Sequence, residues 1–167
     1  GYLFLILGLL NIQKSIKNFR ASIKKISQNK FALTLIVLGS VYVFLTIGLS
    51  GIYKEGALIF QDAQFHDSIW HISLINKLKE NIPPIHPSTF TLQLKQYHYF
   101  YDLVIAQLSK SYSLDIWQLY YRFFPLIISF LLGSSGYLLI KKLSKLKLVH
   151  MMFLFLLYFG GNFGYLI

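Results

Sequence analysis

The sequence predicts an all-α protein that crosses a membrane several times. Three observations predict it. Of the 167 residues, 55% are hydrophobic, and mean hydropathy is +0.54, an apolar balance typical of membrane proteins and unusual for a soluble domain. The segment Phe31 to Tyr53 contains no charged residue and is long enough to span the hydrocarbon core with some tilt. The charges are also segregated. All six acids, Glu55, Asp62, Asp67, Glu80, Asp102 and Asp115, fall in one stretch, and the polar connections on either side carry only Lys and Arg.

The ends of the chain are apolar. Residues 1–12 form a run shorter than the roughly 20 residues that a spanning helix needs. It lacks the basic region and small-residue cleavage site of a signal peptide, so it is expected to be a truncated transmembrane helix. The run Met151 to Ile167 stops with no polar flank. Both ends predict a piece of a longer chain.

Residues 13–30 hold Lys14, Lys17, Arg20, Lys24, Lys25 and Lys30 without an acid. On a helix, Ile12, Ile16, Phe19, Ile23 and Ile26 share a face, which suits an anionic membrane surface; a solvated connector explains the same residues. Segment 31–53 is the first complete span. The second complete span is 122–140, with Tyr120, Tyr121 and Arg122 placed as interfacial anchors. Residues 141–147 carry Lys141, Lys142, Lys145 and Lys147, and the last span covers 148–167. The positive-inside rule puts both basic connectors in the cytoplasm and segment 54–121 outside.

That outer segment is too long and too patterned to be a plain connector. Gln61 to Leu78 reads as a helix ended by Pro83, Pro84 and Pro87, residues 88–96 as irregular, and Tyr97 to Tyr112 as a second helix. Both helices are expected to lie at the membrane interface, where Trp70, Tyr97, Tyr99, Tyr101, Tyr112 and Trp117 fit the aromatic belt.

The net charge of +10 does not make this a nucleic-acid binder, because its basic residues sit beside apolar runs of membrane length. The absence of Cys excludes disulfides, thiolate metal sites and cysteine nucleophiles. No Gly-rich phosphate loop, HExxH, GxSxG or Rossmann fingerprint occurs.

Three carboxylate–imidazole pairs stand four residues apart: Asp62 with His66, Asp67 with His71, and His98 with Asp102. On a helix each pair shares a face. Such a pair can orient an imidazole for proton transfer, share a divalent metal, or form a plain surface ion pair. Asp62 stands out because it follows a span closely, where an ionised carboxylate usually faces a polar cavity or a partner. The run Tyr97-His98-Tyr99-Phe100-Tyr101-Asp102 reads either as an interfacial belt or as a sugar and headgroup platform, with His98 and Asp102 supplying polar contacts. His86, between prolines, reads as loop, and His150 as interfacial.

In order, these motifs resemble a family. A span is followed by Asp62-Ala63-Gln64-Phe65-His66, then by the prolines, then by Tyr97-His98-Tyr99-Phe100. Two spans follow, the last with Gly160-Gly161-Asn162-Phe163-Gly164. Residues 31–167 resemble the N-terminal part of bacterial and archaeal membrane glycosyltransferases of the C-type (GT-C) superfamily. The resemblance implies a multi-pass plasma-membrane enzyme that moves a sugar from a polyprenyl-phosphate donor on the extracytoplasmic face. It implies Asp62 as base or metal ligand, His66 as a second site residue, and His98 as a contact to the donor phosphate. A divalent metal, Mg or Mn, would be held by Asp62 and His66. The sequence departs from the pattern in lacking a paired acid immediately at Asp62. Arg122 is a candidate cation for the phosphate leaving group. Two other classes compete. A transporter or channel component calls for charges inside spans at the bilayer midplane, and the complete spans have none there. A non-catalytic scaffold would use the aromatic segment as a partner surface.

Overall fold

The computed structural model describes residues 17–160, except 19, 22, 25, 61–64 and 90. The protein is mostly helical. In chain order the elements are α1 (Lys30–Ile47), β1 (Ile52–Lys54), β2 (Ala57–Ile59), α2 (Phe65–Glu80), α3 (Phe100–Tyr112), α4 (Ile116–Gln118), a π-helical turn (Leu119–Phe123), α5 (Phe124–Leu143) and α6 (Lys147–Phe159). The chain divides into two compact units, residues 1–41 with 129–167, and residues 42–128.

Two helices are long and apolar enough to cross a membrane. They are Lys30–Ile47, with 18 residues, and the continuous helix Ile116–Leu143, with 28. At about 1.5 Å per residue the first covers roughly 27 Å, close to a hydrocarbon core. In each, 22% of the apolar window is buried within the protein. The core helix of a soluble protein would be mostly covered, whereas these present Val37, Leu38, Leu45, Ile127, Leu131, Leu132 and Leu139 outward. The apolar helix α6 is shorter.

The first span was expected to run to Tyr53, but its helix ends at Ile47. Gly48, Ser50 and Gly51 interrupt it, and the chain turns into a hairpin, β1 paired antiparallel to β2 with Tyr53 opposite Leu58. The two-residue turn at Glu55 and Gly56 has positive φ at both positions, 52° and 83°, the geometry that matches strand twist. The second span begins earlier than expected, at Ile116. Its π turn has a cause in Pro125, which offers no N–H to the carbonyl of Tyr121 and crowds it. The widened turn absorbs this, and the amide of Phe124 reaches back to the carbonyl of Leu119.

In the first unit the core consists of Ile26, Ala32, Ile36, Tyr137 and Leu154. Tyr158 of α6 lies flat on Gly39 of α1 and places its hydroxyl against Gly133 of α5. That hydroxyl donates to the carbonyl of Ser129 at 2.7 Å and lies 3.4 Å from the hydroxyl of Ser40. Small residues at such crossings let helices approach closely, which is how helices associate where no water drives them together.

In the second unit α2 and α3 pack on each other, joined by Ile72, Leu74, Ile75, Leu78, Ile105 and Ala106. His71 meets Asp102, and Lys79 meets Ser109 and, through its carbonyl, Lys110. The offset stays near constant as both helices advance, so the pair is parallel. The proline-bearing segment 81–99 must therefore run back along it. That segment is irregular, as expected for 88–96, with one bridge between Ile85 and Gln93. α2 ends at Glu80, ahead of the prolines, as their position predicts.

Replacing Gly39 by Leu forces a side chain into the ring of Tyr158. Thermal unfolding in detergent should show a loss of about 1–3 kcal/mol. An unchanged melting temperature would mean that α6 does not pack on α1 through this tyrosine.

Candidate functional site

The chemistry-bearing residues of the second unit gather around one buried carboxylate. Asp102, in the first turn of α3, has no exposed surface. Its two oxygens lie 2.9 and 3.1 Å from Nδ1 of His71 on α2. A contact this short between a carboxylate and an imidazole nitrogen holds a proton between them. With the Nδ1–H donated to Asp102, Nε2 is the basic nitrogen.

The pair is walled by rings. Tyr120, from the π turn, stacks on His71 with centroids 6.1 Å apart. Trp70 packs edge-on against Tyr97 at 4.9 Å and His86 at 6.3 Å. Tyr97 stacks in turn on His98 at 4.7 Å. Tyr101 closes another side, edge-on to Tyr120 and Phe124, and its hydroxyl donates to the carbonyl of Tyr120 at 3.4 Å.

This enclosure shapes the titration of its members. Burial raises the Asp102 carboxyl above its ordinary value; the hydrogen bond and charge of His71, and the charge of His98, oppose that without cancelling it. Burial, then the charges of Asp102 and Asp67, raises the Tyr97 hydroxyl. Tyr101 is raised strongly, by burial first and then by Tyr120 and Asp102. Both phenols are therefore proton donors in the neutral range, not phenolates.

A second feature uses the same π turn, a structure that recurs at functional sites. A cleft of about 490 Å³ is lined by Tyr53, Leu58, Asp115, Trp117, Gln118 and Arg122, among others. Nη1 of Arg122 is buried without a hydrogen-bond partner among the described residues, a costly state for a charged donor. Asp115 is engaged elsewhere, because its Oδ1 accepts from the amide of Gln118 at 2.8 Å and caps α4. Gly51, at φ 67°, shapes the wall. A Cβ there would meet the ring of Tyr121 at 2.7 Å and that of Trp117 at 3.0 Å, and Trp117 and Tyr121 stack with an interplanar angle of 5°.

The residues singled out in sequence fare differently. Asp62 lies outside the described residues. His66 stands exposed on the first turn of α2. Tyr97 and Tyr99 are half-buried and His98 is exposed. His98 also precedes α3, which starts at Phe100, so His98 and Asp102 are not a pair on one helix. Asp102 has no surface to offer a sugar directly; its carboxyl meets His71. Arg122 faces its cleft as a cation. Trp70, His86 and Tyr120 were not read as site residues, and His71 was read only as the partner of Asp67. Spacing pairs His71 with Asp67 on its own helix, and nothing in one sequence announces a carboxylate arriving from another helix. Among the described residues no three His, Asp or Glu converge as a metal site. Asp62, the ligand that the resemblance implies, lies outside the described residues, and no step below runs through a metal.

No family model, curated protein or solved structure matches this chain.

A carboxyl whose folded pKa is raised binds its proton more tightly in the folded state than in the unfolded one. Its stabilisation is full below the ordinary value of 3.8 and is lost as pH rises through the raised value. Asp102→Asn cannot ionise there. The stability of wild type relative to Asp102→Asn should therefore fall as pH rises across that window. A difference that stays flat, followed by thermal melts, would show that burial does not raise the Asp102 carboxyl.

Proposed function

We propose that the chain belongs to a multi-pass membrane glycosyltransferase that uses a polyprenyl-phosphate sugar donor. In this reading the basic connectors 13–30 and 141–147 are cytoplasmic, and residues 54–121 lie on the extracytoplasmic side. The observation that carries the reading is the His71–Asp102 pair within an aromatic enclosure. It is a general base with its orienting carboxylate, beside ring faces of the kind that stack on pyranose CH groups. The two apolar helices and the unpartnered Nη1 of Arg122 support it.

The roles follow from the geometry. Asp102 holds the Nδ1–H tautomer of His71 and stabilises the imidazolium once it forms. Nε2 takes the proton of an acceptor hydroxyl, and the freed oxygen bonds to the anomeric carbon. The bond from that carbon to the phosphate oxygen breaks, and polyprenyl phosphate leaves with the electron pair. Arg122 meets the charge that builds on the departing phosphate. Trp70 and Tyr97 offer faces for the sugar, and His98 and Tyr99 polar contacts at its edge. The resemblance puts Asp62 in the role of base, with His66 beside it, so the two assignments compete and one experiment separates them.

A structural brace is the second reading, because the same pair ties α2 to α3. Transfer of labelled sugar from polyprenyl-phosphate donors should be measured in membranes at matched expression. His71→Gln is expected to lower transfer by roughly 10²–10⁴-fold, the usual worth of a general base, and Arg122→Gln to lower it as well. Activity lost with Asp62→Asn and kept with His71→Gln would move the base to Asp62 and leave the pair as a brace. A folded protein that transfers from no donor would overturn the enzyme reading in favour of a transporter or scaffold.

A further inference from the structure

A second cavity, in the unit formed by residues 1–41 and 129–167, points to a different ligand and does not rest on glycosyl transfer. It measures about 690 Å³ and opens where α1 and α6 begin and α5 ends. Its lining includes Lys30, Lys141, Lys145 and Lys147. This unit contains no Asp or Glu at all, so four lysines line one space with no carboxylate of the unit to answer them.

The walls are held in place. Nδ2 of Asn29 donates to the hydroxyl of Tyr137 at 2.9 Å, and its Oδ1 accepts the amide of Ala32 at 3.2 Å. Tyr137 is buried, and Lys141 places its ammonium 5.8 Å from the centre of that ring. His150 is also buried and donates from Nε2 to the carbonyl of Ser144 at 2.8 Å. That bond fixes the short connection bearing Lys145 and leading to Lys147. α6 starts with no side-chain cap on its free amides, so its N-terminus adds positive potential.

We propose that this cavity binds a phosphate-bearing anion. Clustered lysines act as point charges suited to phosphate oxygens, and the volume fits one small head, within the range of ligand pockets. The phosphate has two possible sources. Phe31, Leu143, Leu146 and Leu148, each next in sequence to a lining residue, are exposed and would accompany the acyl chains of an anionic phospholipid. A soluble phosphate compound would use the cationic lining alone.

The competing explanation of these lysines is topological, since basic residues accumulate in cytoplasmic connectors whatever they touch. Lys142 separates the two explanations. It belongs to the same connector and carries the same charge, yet it does not line the cavity. Lys142→Gln and Lys145→Gln therefore change net charge and orientation bias equally. The protein would be placed in phosphatidylcholine nanodiscs, with or without phosphatidylglycerol, and the first set titrated with inorganic phosphate. Thermal stabilisation and retention in native mass spectrometry report binding, and melting without ligand confirms that each variant folds.

At least one probe should bind wild type. Lys145→Gln should weaken it about tenfold, the size of one charge-assisted contact, with Lys142→Gln close to wild type. Phosphatidylglycerol binding without inorganic phosphate binding identifies a lipid headgroup as the source, and the converse a soluble anion. Binding of both means that the phosphate itself is recognised. No binding of either probe, or equal weakening by the two substitutions, overturns the proposal.

Discussion

A carboxylate removed from water needs a donor close by, because an ionised group left alone in a low-dielectric interior is far more costly than any single contact is favourable. Asp102 is in that position, and the donor comes from another helix. His71 reaches it only if α2 and α3 run parallel with the offset the structure shows. That offset also brings Ile72, Ile75 and Leu78 to Ile105 and Ala106, and sets Lys79 beside Ser109. It forces residues 81–99 to travel back along the pair, which brings His86 and Tyr97 to the ring of Trp70. One polar contact thus fixes the register of an otherwise apolar interface, and apolar packing excludes the water that would weaken the contact. The two act together. The core alone would tolerate a slip along the helix, and the pair alone would be a solvated surface bridge worth little.

The first unit obeys a different constraint. Its helices offer apolar side chains to their surroundings, so burial of apolar area does little to hold them to one another. Close approach takes over, with the ring of Tyr158 against Gly39 and its hydroxyl against Gly133. The hydroxyl of Ser40 bonds back to the carbonyl of Ile36 at 2.8 Å, and that of Tyr158 finds the carbonyl of Ser129. These hydroxyls are thereby satisfied inside the helix interface, whereas Oγ of Ser134 is buried without a partner among the described residues.

The helical class and the position of both long apolar helices were legible in the sequence, since a charge-free run constrains composition and length together. The ends were less legible. The absence of charge from Gly48 to Tyr53 extends the apolar run past the point where glycines stop the helix, so hydropathy alone cannot place Ile47 as its end. Pro125 reads as an early residue of a span, and only the bond from Phe124 to Leu119 shows that the turn before it has widened. The site was legible as a region and not as a constellation. Helical spacing ranks partners four residues apart on one helix, so it proposes Asp67 for His71 and His98 for Asp102. The bonded pair combines one member of each. Nothing in a single chain ranks contacts between helices, and these depend on crossing direction and offset. Arg122 was visible because a cation at the end of an apolar run is conspicuous. The aromatic wall was visible in Tyr97 and Tyr99 and missed in Tyr120, which reads with Tyr121 and Arg122 as an interfacial anchor.

The polar groups of this chain fall into two kinds. Asp102, Ser40 and His150 each have a partner supplied by the fold, so their desolvation is already compensated and they stabilise one arrangement. Nη1 of Arg122 is buried without a partner among the described residues, and it costs stability until something external meets it. The lysines that line the basic cavity are exposed and hydrated, and what sets them apart is like charge with no carboxylate in their unit. An anion rich in acceptor oxygens, such as a phosphate, would answer both. The Arg122 cleft draws on the helix that also supplies Tyr120 to the His71–Asp102 enclosure, so an anion there would sit on the element that borders the base. The lysine cavity shares no residue with that enclosure. Its occupant would thus be expected to brace the ends of α1, α5 and α6 and to take no part in the chemistry, so stability, not turnover, is the quantity that should respond to it.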